Sequence, residues 1–244
     1  MFNERGYEAM KLVIFDLDQT LVDFLSVHDA AVHELLKREF NIDASLKEID
    51  FSGRGMMENI VELVRLKGVP DREISEHVRG PGEYEAIFFQ LMPSDAGRHV
   101  LPGARELLDR LAMTGHIIAL YTGDSRAIGK AVLSATGLDE YFMLSVFGTE
   151  SPSRLEMARL AVKKARAMTG IDFKGKNVVV IGDSTRDVDC AKQLNALSIA
   201  VATGFHTVQE LEAHKPDYLF DDLTHTAELV RAIDGSSVEI QLHS

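Results

Sequence analysis

Leu12-Val13-Ile14-Phe15-Asp16-Leu17-Asp18-Gln19-Thr20 decides the fold. Four apolar residues run without a polar break and then stop at two aspartates two positions apart. A continuous apolar run of strand length implies a strand buried on both faces, as in a parallel sheet covered by helices. Similar runs recur at 117–121, 143–147, 178–181 and 199–201, each bounded by turn-forming or charged residues. Helical patterns lie between them. One runs from Ala104 to Met113, entered through Pro102-Gly103 and closed by Gly115. Another places Leu155, Ala158, Val162, Ala165 and Met168 on one face, with Lys163, Lys164 and Arg166 toward solvent. From Leu101 onward this alternation predicts an α/β core with a doubly wound parallel sheet, in which ligands sit beyond the carboxyl ends of the strands.

The stretch between the first strand and that core breaks the alternation. It carries amphipathic patterns over Val27 to Phe40, Met56 to Leu66 and Glu83 to Leu91, and no convincing strand. The division expected is therefore an α/β core of residues 1–22 and 97–244 with a small helical domain, 23–96, inserted after the first core strand. Two hundred and forty-four residues, 45% hydrophobic and 26% charged, are ordinary globular usage. The net charge of −12 disfavours a nucleic-acid partner, whose phosphates that field repels. No apolar run approaches the roughly 20 residues of a membrane span, and Met1 to Glu8 is too polar for a secretory signal. The single cysteine, Cys190, suits a reducing, cytoplasmic setting and a packing role.

Chemistry concentrates at two strand ends. Residues two apart on a strand face the same way, so Asp16 and Asp18 project together. The run at 178–181 ends in a second acidic cluster, Gly182-Asp183-Ser184-Thr185-Arg186-Asp187. A lone aspartate there would ordinarily cap the next helix. A pair facing a second cluster is different, because two carboxylates about 4 Å apart repel by roughly 4 kcal/mol at an effective dielectric near 20. Such a group protonates or recruits a cation, and an all-oxygen donor set favours a hard ion, magnesium before zinc.

Asp16-Leu17-Asp18-Gln19-Thr20 and Gly182 to Asp187 resemble the first and fourth motifs of the haloacid dehalogenase superfamily, and Thr122-Gly123-Asp124 resembles the second. The similarity extends over most of the chain, and the helical insertion resembles the C1-type cap of phosphoglycolate-phosphatase-like members. The resemblance implies a Rossmann-like core and a phosphatase that acts on a small phosphorylated metabolite. It further implies Asp16 as nucleophile and Asp18 as general acid and base. Magnesium would be held by Asp16, the main-chain carbonyl of Asp18 and Asp183, with Asp187 assisting directly or through water. Thr122 and Gly123 would bind phosphate oxygens, and Thr20 would support the turn.

The third motif departs from the family pattern. A lysine is expected early in the helix after the third core strand, yet Phe147 to Arg154 contains none before Lys163. Arg154 is the candidate replacement, because Ser151-Pro152 suits a helix start and places Arg154 in the first turn. Gly53-Arg54-Gly55 resembles a cap loop that reaches into the site, where Arg54 could read a polar group of the substrate. A phosphoglucomutase-like phosphotransferase, a metal-free dehalogenase and a non-catalytic phosphate-binding module are the alternatives. Asp18 and Asp183 argue against the dehalogenase, the intact aspartate pair against the binding module. The chain is expected to act as a monomer or homodimer.

Overall fold

A computed structural model describes residues 10–151 and 153–235. The readings of Met1 to Glu8 and of Pro152 lie outside the described residues. Six parallel strands form one sheet: β1 (Leu12–Phe15), β2 (Ile117–Thr122), β3 (Leu144–Phe147), β4 (Val178–Gly182), β5 (Leu197–Val201) and β6 (Tyr218–Phe220). Their spatial order is β3-β2-β1-β4-β5-β6. The chain thus builds outward from β1 on one side, then returns to lay β4 on the other. The crevice where the order reverses, between β1 and β4, is where an open α/β sheet accepts ligands.

Four helices, α1 (Leu25–Phe40), α2 (Met56–Leu66), α3 (Asp71–His77) and α4 (Gly82–Leu91), lie between β1 and β2 and precede α5 (Ala104–Ala112). The alternation then continues through α6 (Arg126–Thr136), α7 (Arg154–Thr169), α8 (Thr185–Gln193), α9 (Val208–Ala213) and α10 (Thr226–Asp234). Successive strand residues point to opposite faces and bury into different cores. Val13 and Phe15 pack with Leu107, Ile128 and Leu229, a cluster that runs on into Val32, Ile60 and Phe88 of the helical insert. Leu12 and Ile14 pack with Met157 and Ala158 of α7 and Cys190 of α8. The doubly wound arrangement expected from the apolar runs is present.

Some elements differ from the sequence reading, each for a local reason. Helix α3 buries only Ile74 and shows no amphipathic stripe. Strand β6 is three residues long and follows Asp217. Strand β5 starts at Leu197 rather than Ile199, because the polar Ser198 is accommodated there by hydrogen bonds with Asp217. Lys164 does not face solvent: its Nζ donates to the Ser145 carbonyl at 2.8 Å and to Glu150 at 2.9 Å, tying α7 to β3 and the turn after it.

Candidate active site at the β1–β4 crevice

Asp16 follows β1 and its amide donates to the Ile181 carbonyl of β4 at 2.9 Å, which sets it beside the acidic turn after β4. Asp16, Asp183 and Asp187 are all buried, and their carboxylates offer oxygens within 4.8 Å of one another. Asp187 sits in the first turn of α8 because Ser184 caps that helix. The Ser184 amide and hydroxyl donate to Asp187 Oδ2 at 3.0 and 2.6 Å, and the Ser184 hydroxyl accepts from the Asp187 amide. Gly182 leaves room for this packing, since a Cβ there would overlap the Asp187 carboxyl. Asp183 accepts from Thr20 Oγ1 at 3.3 Å and from Ser52 Oγ of the insert at 3.1 Å.

Arg154 is the cation among these acids. Its Nη2 lies 2.5 Å from Asp16 Oδ1, and its Nε donates to Asp187 Oδ1 at 2.7 Å. The guanidinium lies over the Tyr121 ring at 4.1 Å from the centroid, and the Tyr121 hydroxyl donates to the same Asp187 oxygen at 2.5 Å. Helix α7 begins at Arg154 because Ser153 caps it, accepting from the Glu156 amide. The residue flagged by the missing lysine therefore projects into the acidic group. Burial disfavours its charge, but Asp16 and Asp187 outweigh that and raise its pKa.

One guanidinium does not balance three buried carboxylates. Burial, opposed by Arg154, pushes Asp16 well above the usual carboxylate range, and burial followed by repulsion from Asp187 takes Asp183 up to about 7. Asp187 is held low despite its burial by Arg154, Ser184 and Tyr121. The residual negative charge and the all-oxygen donor set fit a hard divalent cation held chiefly by Asp16 and Asp183. Asp187, with donors on both oxygens, is already engaged within the protein.

The Asp18 carboxylate turns to a different group. His28 of α1 places Nε2 3.3 Å from Asp18 Oδ1 and 3.8 Å from Asp124 Oδ2, while its Nδ1 is 2.5 Å from the Tyr84 hydroxyl of α4. Burial opposes protonation of His28, yet Asp124 and Asp18 together raise it to about 9. Burial takes Asp124 up to about 8. His28 and Tyr84 were not singled out in the sequence, and Asp124 was named only within the second motif. The available signal was a histidine at helical spacing with Ala31, Val32 and Leu35, on the buried face of α1.

Thr122 and Gly123 line the cavity beside Asp16, Asp18 and Arg154. The Thr122 hydroxyl accepts from the Asp124 amide at 3.1 Å, which shapes the turn after β2. The loop before α2 closes over this turn: the Met56 amide donates to the Gly123 carbonyl at 3.2 Å, and the Arg54 main chain lies so close to Gly123 that only glycine fits. The Arg54 side chain does not reach the acids of the sheet edge. It is ion-paired to Glu58 and Glu62 of the following helix, α2. Arg186 of α8 holds the same loop, donating to the Ser52 carbonyl at 2.7 Å and pairing with Asp50 at 2.8 Å. His206 lies 3.5 Å from Asp50 and 3.3 Å from Thr185 Oγ1.

Comparison with known proteins bears on family and fold. The family model for haloacid dehalogenase-like hydrolases matches residues 10–195. The "Probable phosphatase IndB" of Dickeya dadantii is 30% identical over 227 residues, covering 91% of this chain and 94% of that protein. A phosphoglycolate phosphatase of Synechococcus elongatus is 28% identical over 212 residues, covering 87% and 93%. Among solved structures, a β-phosphoglucomutase from Clostridium difficile superposes with a TM-score of 0.75 at 20% identity, covering 93% of this chain and 97% of that one, a likeness of fold. Among the described residues no helix is long and apolar enough to cross a membrane.

Proposed function

The chain belongs to the haloacid dehalogenase-like hydrolase family, and on that premise we propose that it is a magnesium-dependent phosphatase that hydrolyses a small phosphomonoester through an aspartyl-phosphate. The observation that carries the reading is the buried Asp16 carboxylate at the end of β1, beside Asp183 and under the Arg154 guanidinium.

An Asp16 oxygen attacks phosphorus and the ester oxygen leaves, taking its proton from Asp18. Asp18 then accepts a proton from a water, which attacks the same phosphorus and frees Asp16 and inorganic phosphate. Thr122 and the Gly123 amide hold phosphate oxygens, and Arg154 supplies fixed positive charge next to the nucleophile. Magnesium, held by Asp16, Asp183 and the Asp18 main-chain carbonyl with Asp187 in support, would supply charge neutralisation where an anionic ester meets an anionic nucleophile. The helical segment 23–96 acts as a cap that excludes bulk water, with the Arg54 backbone rather than its guanidinium closing the seam.

Hydrolysis of an aryl phosphate at neutral pH tests this directly. Turnover that requires magnesium and stops with excess chelator is the expected result. No turnover from folded protein with magnesium present would overturn the hydrolase reading in favour of the phosphotransferase one.

A further inference from the structure

Of the cavities between insert and sheet edge, the one lined by Asp16 and Asp18 is small, about 60 Å³, and its polar lining is one-sided. Each cation that lines it is already met by acids: Arg154 by Asp16 and Asp187, Arg54 by Glu58 and Glu62, and His28 by Asp18 and Asp124. Asp18 Oδ1 and Asp124 Oδ2 face His28 Nε2 at 3.3 and 3.8 Å, which leaves Asn59 Oδ1 as the buried acceptor beside the cavity with no donor among the described residues. Asn59 is 1% exposed, and its amide nitrogen is committed to the Phe51 carbonyl at 3.1 Å, so the carbonyl end is the one left over. Buried acceptors without donors are rare in folded proteins and call for a partner.

We propose, building on the phosphatase reading, that the alcohol released from the ester carries a hydrogen-bond donor, a hydroxyl or an ammonium group, and that the site turns away alcohols bearing a carboxylate. A carboxylate in this cavity would find no uncommitted cation and would face Asp18, Asp124 and the Asn59 carbonyl. A hydroxyl or ammonium would supply the donor that the Asn59 carbonyl oxygen lacks. A site built to pair with such a group rejects an analogue lacking it, because its own buried polar atoms are then left unpaired. The specificity differs from what the names of the phosphoglycolate phosphatases imply for those relatives.

Four esters on one two-carbon frame separate the cases: 2-hydroxyethyl phosphate, 2-aminoethyl phosphate, ethyl phosphate and phosphoglycolate, with an aryl phosphate alongside. With magnesium present, kcat/KM for the hydroxyl or amino ester should exceed that for phosphoglycolate by about tenfold or more. Which of the two donors leads separates a polyol-type from an amino-alcohol-type substrate. In Asn59→Leu the preference for 2-hydroxyethyl over ethyl phosphate should shrink toward one. Phosphoglycolate turned over as well as or better than both donor esters, with the aryl phosphate also cleaved, would overturn the inference and leave the phosphatase reading standing. Absence of turnover on every ester, aryl phosphate included, would sink both.

Discussion

Asp16 and Asp18 stand two residues apart on one strand end, yet the groups around them are built in opposite ways. The Asp16 group is drawn almost wholly from the sheet and the helices that follow it. Its Asp187 accepts from Tyr121, Arg154 and Ser184, and Ser184 is itself fixed by the capping of α8. The Asp18 group straddles two bodies, with Asp124 after β2 but His28 and Tyr84 on helices of the insert. One is set mainly by the core, with Ser52 of the insert reaching Asp183, and the other is complete only when the insert lies against the sheet. A nucleophile and its phosphate contacts profit from rigidity, because preorganised charge costs no rearrangement during reaction. An acid proposed to admit substrate, release it and then shield one water is better tied to an element that can move.

The hardest test of the comparison is at Asp16. Asp16→Asn removes the proposed nucleophile while keeping shape, so turnover of aryl phosphate should fall to background with the circular-dichroism spectrum unchanged. Substantial activity in the folded variant would take Asp16 out of the nucleophile role. Arg154→Ala comes next. It leaves Asp16 and Asp187 without their guanidinium in a buried site, and breaking such a pair costs about 3–5 kcal/mol of stability. Urea denaturation should show a loss of unfolding free energy of that size together with lost activity. Arg154→Lys keeps the charge but loses the fork and the stacking on Tyr121, so it should fold better than the alanine variant and still turn over more slowly than wild type. Full activity in Arg154→Lys would mean that charge alone is used.

Tyr84→Phe probes the other group. It removes the hydroxyl next to His28 Nδ1, a hydrogen bond worth about 1 kcal/mol, or roughly fivefold in rate if it holds the acid in place. The loss should appear in kcat for esters of poor leaving groups and shrink for aryl phosphates, which need little protonation. An equal loss on both substrates would break the assignment of this group to the acid step.

The same contrast explains what the sequence revealed. Asp16, Asp18, Thr122 and Asp183 were legible because each ends or follows a buried strand, where a polar residue interrupts an apolar run. Arg154 was legible through an absence, a motif lacking its lysine just where a helix starts. His28 and Tyr84 were not, since each looks like an ordinary member of an amphipathic helix and acquires its role from how the insert docks. Tyr121 was counted as the apolar end of β2. Its hydroxyl matters only because β4 and α8 bring Asp187 beneath it, a pairing 66 residues apart in sequence. Arg54 stood out by its glycine-flanked loop, but local helix geometry gave its guanidinium nearer partners in Glu58 and Glu62.

Cys190 offers the mildest check on the rigid half. It is 2% exposed on α8, and its thiol donates to the Arg154 carbonyl at 3.6 Å, beneath the acidic group. Burial, with Asp187 nearby, pushes its pKa up to about 12. At pH 8 the native thiolate fraction is then on the order of 10³-fold below that of a free cysteine, whose pKa is near 8.5. Alkylation by iodoacetamide should be correspondingly slow in the native protein and fast in urea. Substrate or phosphate, by drawing the insert closed, should leave the native rate unchanged if the core half is already locked. Strong protection of Cys190 by added phosphate would show instead that the Arg154 side opens and closes with the insert, and the division between a fixed nucleophile group and a mobile acid group would fail.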